Sequence, residues 1–471
     1  MCIRDSSAPS ARGVDAAGVL RLVDSLDAHP GDFHSLMIAR HGHVIAEGWW
    51  APYAADRVHR LYSLSKSFTA AVVGQLVAEG VLDLDAPVWS YLTDDLAGLA
   101  PRWRRVRVRH CLTMTVGHRK EAWSDWAWDA FDEAFHSRED PFLGKIRGLV
   151  PDGEPGEVWA YNQVATYLLA QAVERATGRR LSSHVRERLL GPFGVPLLKA
   201  ERTPQGHDLG YVGLHVPTEA VLALAQTHLD GGVFLGRRLL SEAWVAEART
   251  PTSASLADSG GRGGDWAHGY GFSFWGSSHG YRGDGAFGQY ALVLPELDLT
   301  VAITSEHDMQ HTLDLVWEHL LPACGAPGTA SADAALAARL AGLAVPARTG
   351  EVRAGTWSLG DGEAGPGAVV GLTRLTLVGG QGRSELVCGE LGRLPIGAGE
   401  WLEGRLTYPA GELPVVASGG WNGDVFTAEL RLIETPHSAT LRVSDGGARC
   451  RLTWRQQPLT GPDPGALVST P

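Results

Sequence analysis

The sequence predicts an α+β protein: an antiparallel sheet flanked by helices with a helical lobe, followed by a C-terminal antiparallel β domain. Three observations carry this. Leu64, Phe68, Val72 and Leu76 recur every fourth residue, Val73 and Val77 fill the gaps, and Gly80 supplies a stop, which spells one long apolar helix. Residues 268–306 then change period: Tyr270–Trp275, Tyr281–Gly285, Gln289–Leu294 and Leu299–Thr304 read as successive strands separated by glycines and Pro295. Beyond residue 351 no long helical stripe remains, and short runs such as Leu372–Val378, Trp401–Tyr408, Val425–Ile433 and Ala439–Val443 alternate with glycine turns, predicting roughly eight strands.

The remaining elements are taken in order. Met1 to Ser6 reads like the translation of a sequencing adapter, so residues 1–12 are expected to be adapter-derived or disordered, and a leader could have been lost there. Val19, Leu20, Leu22, Val23 and Leu26 give residues 14–29 helical spacing. Ser35 to Ala39 and Val44 to Trp49 flank His41-Gly42 as a β-hairpin. A short helix is expected at 87–92, and Arg107 to Met114 as strand or loop leading into another. Further helices are expected at about 165–177 (closed by Gly178), 181–190, 217–230, 240–249, 308–321 and 332–343. Trp123, Trp126, Trp128, Phe131 and Phe135 crowd one acidic stretch, either as a cleft wall or as packing of a long loop. The Ala-, Gly- and Pro-rich residues 325–350 mark the best boundary. The expected organisation is a first domain at 13–330, a linker at 331–350, a small β domain at 351–456 and a disordered tail at 457–471.

Composition excludes several classes. The chain has 471 residues, 44% hydrophobic and 20% charged, enough to bury a large core. A net charge of −12 and the lack of a dominant basic stripe argue against a nucleic-acid partner; the cluster Arg102 to Arg109 is short enough for a solvated loop. No apolar run reaches membrane-spanning length; as given the chain reads as soluble and cytoplasmic, and the adapter-like start leaves its compartment open. Cysteines 2, 111, 324, 388 and 450 show neither zinc spacing nor C-x-x-C, and no cofactor is expected. His307-Asp308-Met309-Gln310-His311 has the two-histidine spacing of zinc proteases, but Asp308 stands where their glutamate would be, and a helix start explains it more simply.

The chemistry concentrates at Ser63-Leu64-Ser65-Lys66. A serine and a lysine three apart share one helix face. Ser63 falls at the helix start, where free N–H groups and the positive dipole end favour a developing anion. That arrangement suits a nucleophile beside a group able to take its proton. The chain has only four lysines, at 66, 120, 145 and 199, and the Ser63–Lys66 pairing gains weight from two downstream motifs.

These are Tyr161-Asn162 and then Gly283-Asp284-Gly285-Ala286-Phe287-Gly288-Gln289. With Ser63-x-x-Lys66 they resemble the three motifs of the serine β-lactamase and penicillin-binding-protein superfamily, and more closely the class C β-lactamase-related serine hydrolases, across about residues 33–325. The resemblance implies a β-lactamase-like fold and an acyl-enzyme mechanism on a small ester, amide or peptide. Ser63 would be the nucleophile, Lys66 would assist its deprotonation, and Tyr161 would serve as general base and then acid. The backbone N–H groups of Ser63 and Ala286 would form the oxyanion hole. A non-catalytic sensor or binding protein that kept the fold is the alternative.

Two departures from the family pattern matter. The second motif normally ends in Asn; here Gln163 takes that place, so either Gln163 or Asn162 supplies the amide. The third normally opens with Lys or His, and here it opens with Gly283. Substrate contacts are therefore expected from Asn162, Gln163, Arg282, Gly283, Asp284 and Gly285, with Arg282 the nearest cation. Esterase-like activity is expected over true β-lactamase activity.

Overall fold

A computed structural model describes residues 5–28, 31–94, 96–120, 141–203, 205–258, 261–360, 365–380 and 382–471. The aromatic stretch 121–135 and Met1 to Arg4 lie outside these residues. The chain divides into two units, residues 1–48 with 61–341 and residues 49–60 with 342–471.

In the first unit, α1 (Ala16–Ala28) leads into the expected hairpin of β1 (Asp32–Arg40) and β2 (His43–Trp49). The Ser63-x-x-Lys66 stretch runs into α2 (Ser65–Ala78), and later come α3 (Gln163–Thr177) and α4 (Thr218–Leu229). Strands β3 (Trp275–Gly276), β4 (Tyr281–Gly285), β5 (Gln289–Leu294) and β6 (Leu299–Glu306) precede α5 (Met309–His319) and α6 (Ala330–Ala341). The six strands form one sheet in the order β2-β1-β6-β5-β4-β3. The first hairpin thus joins the last strand, with Ile38 opposite Val301 and Leu36 opposite Ile303. All eight residues of β6 are buried, so helices cover both faces of the central strands. The helix α4 lies against β1, β5 and β6, and α1 packs on α5 and α6.

Local chemistry explains these elements. Apolar residues surround α2 on every side, so it is buried all round, unlike an amphipathic surface helix. Asn162 caps α3 at one end and Gly178, at φ 68°, closes it at the other. Asp308 caps α5 by accepting from His311 N–H at 2.8 Å, which gives the His307–His311 spacing its structural explanation. The basic cluster is paired locally: Arg102 and Arg105 with Glu154, Arg107 and Arg109 with Asp85.

Several expectations need correcting. Tyr270 to Phe274 is not a strand; Ser273 sits at φ 58° and the paired residues begin at Trp275. A side chain in the left-handed region cannot continue an extended ladder. Pro9–Arg12 forms a 3-10 turn, and Ser7 N–H donates to the Val44 carbonyl at 2.9 Å, so this part of residues 1–12 is ordered. The helix α6, expected within a linker, belongs to the first unit, where Leu336 is buried and Arg339 pairs with Asp24 and Asp27 of α1.

Residues 342–471 of the second unit contain nine strands among the described residues, in a four-stranded and a five-stranded antiparallel sheet. Leu377, Leu386 and Leu394 of the smaller sheet and Phe426, Leu441 and Leu452 of the larger join one core. Leu467 and Val468 also belong to it, so the tail expected to be disordered is anchored by apolar burial. Residues 49–60 enter this unit from far upstream. Val345 N–H donates to the Ala51 carbonyl at 2.7 Å, and Arg60 N–H to the Glu434 carbonyl at 2.9 Å.

Candidate active site

Ser63 lies in a 3-10 turn, Tyr62–Leu64, that runs directly into α2. The preceding Tyr62 has φ 48°, a conformation costing roughly 1–2 kcal/mol for an L-residue. Phe287, itself at φ 68°, packs on Tyr62 with ring centroids 5.1 Å apart. Met114 (φ 59°) and Ser273 (φ 58°) add two more strained residues near the motifs, since Met114 Sδ accepts from Asn162 N–H and the Ser273 carbonyl accepts from Ser67 Oγ. Such residues persist where surrounding packing over-determines them.

Lys66 Nζ lies 2.9 Å from Ser63 Oγ and donates to the Tyr211 carbonyl at 2.9 Å. Its side chain is fully buried, and this burial holds its pKa well below the ordinary lysine value; Asp284 opposes the shift and Arg262 adds to it. The Tyr161 ring faces the same amine, with its centroid 4.8 Å from Nζ. The structure therefore brings Ser63, Lys66 and Tyr161 together.

The third motif reaches this group through close backbone contact. A Cβ on Gly285 would stand 2.0 Å from the Leu61 carbonyl oxygen and 3.1 Å from Leu64 N, so β4 presses against the serine turn where only glycine fits. A Cβ on Gly283 would meet Leu64 Cδ1 and Ser67 Oγ, both at 2.6 Å. Ala286 follows Gly285 and precedes Phe287, so both its neighbours touch the turn carrying Ser63. Among the described residues, neither Ser63 N–H nor Ala286 N–H donates to a backbone carbonyl.

Strand alternation sends the polar members of the motif the other way. Arg282 is completely buried; its Nε donates to Asp284 Oδ2 at 3.1 Å, and its Nη1 to the Gly276 carbonyl at 2.7 Å and Ser277 Oγ at 2.6 Å. The expectation that Arg282 meets substrate is thereby corrected. Asp284 is buried as well, which raises its pKa; Arg282 and Arg262 act against that rise.

Asn162 is likewise not available to substrate. Its Oδ1 accepts from Val164 N–H at 3.0 Å as the helix cap, and its Nδ2 donates to His118 Nδ1 at 2.7 Å. The Leu149 carbonyl, 2.9 Å from His118 Nε2, can only accept, so the ring proton sits on Nε2 and Nδ1 is the acceptor. Burial lowers the His118 pKa, in keeping with this neutral ring. Gln163 differs: its buried Oε1 has no hydrogen-bond partner among the described residues, leaving its amide as the candidate for the motif's Asn.

Sequence reasoning assigned no role at the site to four residues. Tyr211 holds Lys66 through its carbonyl, a backbone role that no side-chain motif signals. Trp275 stacks on Tyr161 at 5.6 Å between centroids, and Tyr270 meets Tyr161 edge-on at 5.9 Å. Arg262 places its guanidinium carbon 5.6 Å from the Tyr161 ring centroid and 5.8 Å from that of Trp275.

A family model described as Beta-lactamase matches residues 20–319. The chain belongs to the beta-lactamase family. Within it, the chain is 30% identical over 229 residues to the 6-aminohexanoate-dimer hydrolase of Paenarthrobacter ureafaciens, covering 45% of this chain and 55% of the relative. It is 27% identical to penicillin-binding protein 4 of Amycolatopsis lactamdurans over 58% of this chain and 77% of that one. Esterase EstB of Burkholderia gladioli is 29% identical over 40% of this chain and 53% of its own length. The matched part of this beta-lactamase-family chain thus spans about half of two of these relatives. Among solved structures, a family VIII carboxylesterase superposes with a TM-score of 0.51 at 16% identity, covering 66% of this chain and 99% of the other, which shows the shared fold.

Proposed function

We propose that the chain is a serine hydrolase that forms an acyl-enzyme at Ser63 from small esters or amides and prefers neutral esters to carboxylate-bearing β-lactams. The observation that carries this reading is Lys66 Nζ at 2.9 Å from Ser63 Oγ, on a lysine whose burial favours the neutral amine. A neutral amine has a lone pair for the serine proton; an ammonium has none. The Ser63 proton passes to the Lys66–Tyr161 pair as Oγ bonds to the substrate carbonyl carbon. The pair then returns the proton to the leaving alkoxide or amine as the carbonyl–heteroatom bond breaks. Water reverses these roles and releases the acid. Ser63 and Ala286 N–H groups are the donors for the oxyanion. The names of two relatives, an esterase and a 6-aminohexanoate-dimer hydrolase, support a small-substrate hydrolase.

The ester preference rests on Gly283, which offers no side chain, and on Arg282, which is buried against Asp284. A charge-assisted hydrogen bond is worth about 1.5–3 kcal/mol, roughly tenfold to more than a hundredfold in affinity. The test is intact mass after incubation with an activated acyl ester, then kcat/KM for a short nitrophenyl ester against a chromogenic cephalosporin. Ser63→Ala should remove the mass adduct and lower ester turnover by about a thousandfold or more. A label on Ser65 or Ser67, or a higher kcat/KM for the cephalosporin, would overturn the reading.

A further inference from the structure

Arg262 leads into the 3-10 turn Gly264–His268, and that turn is pinned. The Asp265 carboxylate accepts from Gln310 Nε2 at 3.0 Å, Trp317 Nε1 at 3.1 Å, and Ser278 N–H and Oγ–H at 2.8 and 2.9 Å. Burial alone would raise the pKa of Asp265, but these four donors hold it down to about 2. Arg262 therefore extends from a backbone that is fixed three residues away. Its half-buried side chain brings the guanidinium to the Tyr161–Trp275 stack, so Arg262 and Lys66 Nζ both stand within 6 Å of the centre of the Tyr161 ring.

Asp284, between the two glycines of the third motif, is a buried carboxylate that favours a protonated Lys66. Lys66 meets the Tyr161 ring from the start of α3 and the Tyr211 carbonyl and ring, and feels the charges of Asp284 of β4 and of Arg262 through space. Tyr161 faces Lys66, Arg262 and the phenol of Tyr270. Arg282 is tied to Asp284 on the far face of β4. Of these groups, Arg262 is the one cation on the Tyr161 side that cannot lose its proton.

We propose that Arg262 is the electrostatic counterweight to Asp284: a fixed guanidinium beside Tyr161 that favours the unprotonated forms of Lys66 and Tyr161. This rests on the reading of Ser63, Lys66 and Tyr161 as the reacting set. Arg262 is then a positioning residue, acting on the proton acceptors through space. The direction of its effect on Lys66, opposite to that of Asp284, agrees with this geometry.

The experiment is a pH titration of protein labelled with carbon-13 at lysine Cε. The chain has four lysines, so the Lys66 signal is assignable by its loss in Lys66→Met. In Arg262→Gln the Lys66 midpoint should move to higher pH; in Arg262→Lys it should stay near wild type; in Asp284→Asn it should move to lower pH. Arg262→Met, which keeps an apolar stem against the rings, replaces the glutamine variant if that one does not fold. The companion readout is kcat/KM for a neutral nitrophenyl ester against pH, each profile scaled to its own plateau. The acid limb should follow the NMR midpoint, lowering the rate on that limb about threefold or more in the neutral variants. A folded neutral variant with an unmoved Lys66 midpoint overturns the proposal, and a moved midpoint with an unmoved limb overturns its catalytic half. Failure of the Ser63 reading appears separately, as absent acyl labelling in wild type.

Discussion

Lys66 shows how function opposes stability in one side chain. Its fully buried amine is held below its ordinary pKa, so the unfolded chain binds a proton that the folded chain resists. The sign is then fixed: stability rises with pH between the folded pKa and the unfolded value near 10.4. We predict that Lys66→Met abolishes acyl labelling yet stabilises the protein at neutral pH, by on the order of 1 kcal/mol. The advantage should be largest in acid and shrink as pH rises toward about 10.4; denaturant unfolding at several pH values measures it, and a variant less stable than wild type at pH 6 would refute it. Gly283 gives a second test. Gly283→Lys restores the residue type usual in related hydrolases, but its Cβ would meet Leu64 and Ser67 at 2.6 Å. It should destabilise by about 1–3 kcal/mol and leave cephalosporin turnover unimproved. Improved turnover in a stably folded variant would show that the strand can move aside.

At the scale of elements, two neighbouring amides at the start of α3 divide their work. Asn162 caps the helix and fixes His118, whereas the Oε1 of Gln163 bonds to nothing among the described residues. Asn162→Ala should lower stability by about 1 kcal/mol through the lost cap. Gln163→Ala should leave the melting temperature within a degree or two and reduce kcat for the ester. Equal losses of stability in both variants would show that Gln163 is structural too. These elements also mark what the sequence makes legible. Apolar spacing foretells α2, an apolar stripe closed by Gly178 foretells α3, and runs punctuated by glycines and Pro295 foretell β4 to β6, because each signal is local. The turn at Tyr270 to Phe274 reads as a strand because its aromatic run suits an extended chain, while the positive φ of Ser273 is set by distant contacts such as Ser67. Arg262 leaves no trace in any motif because its meaning depends on Tyr161, about a hundred residues upstream.

Across the whole molecule, the division of the chain is only partly legible. The composition change near residue 340 is real, but residues 49–60 belong with residues 342–471 for reasons of backbone pairing that no local pattern announces. These residues lead directly into Leu61 and the Ser63 turn. A chain ending at Ala341 removes the acceptor of Arg60 N–H and the donor to the Ala51 carbonyl, both upstream of that turn. We predict that this truncation labels with a fluorophosphonate about tenfold or more slowly than the full chain, because small displacements of a nucleophile are costly. Wild-type labelling rates in a folded truncation would show that residues 49–60 hold their place unaided.

The sheet order also has a consequence in time. Because β1 pairs with β6, residues 32–40 wait for residues 299–306 to leave the ribosome. At roughly 5–20 residues per second, that delay of about 260 residues lasts on the order of 13–50 seconds. Through most of it, residues 281–286 are not yet made, so neither β4 nor Ala286 stands beside the serine turn. On the proposed roles of Ser63 and Ala286, a nascent chain carries a chemically silent serine, and the capacity to react is conferred only once synthesis has passed the third motif.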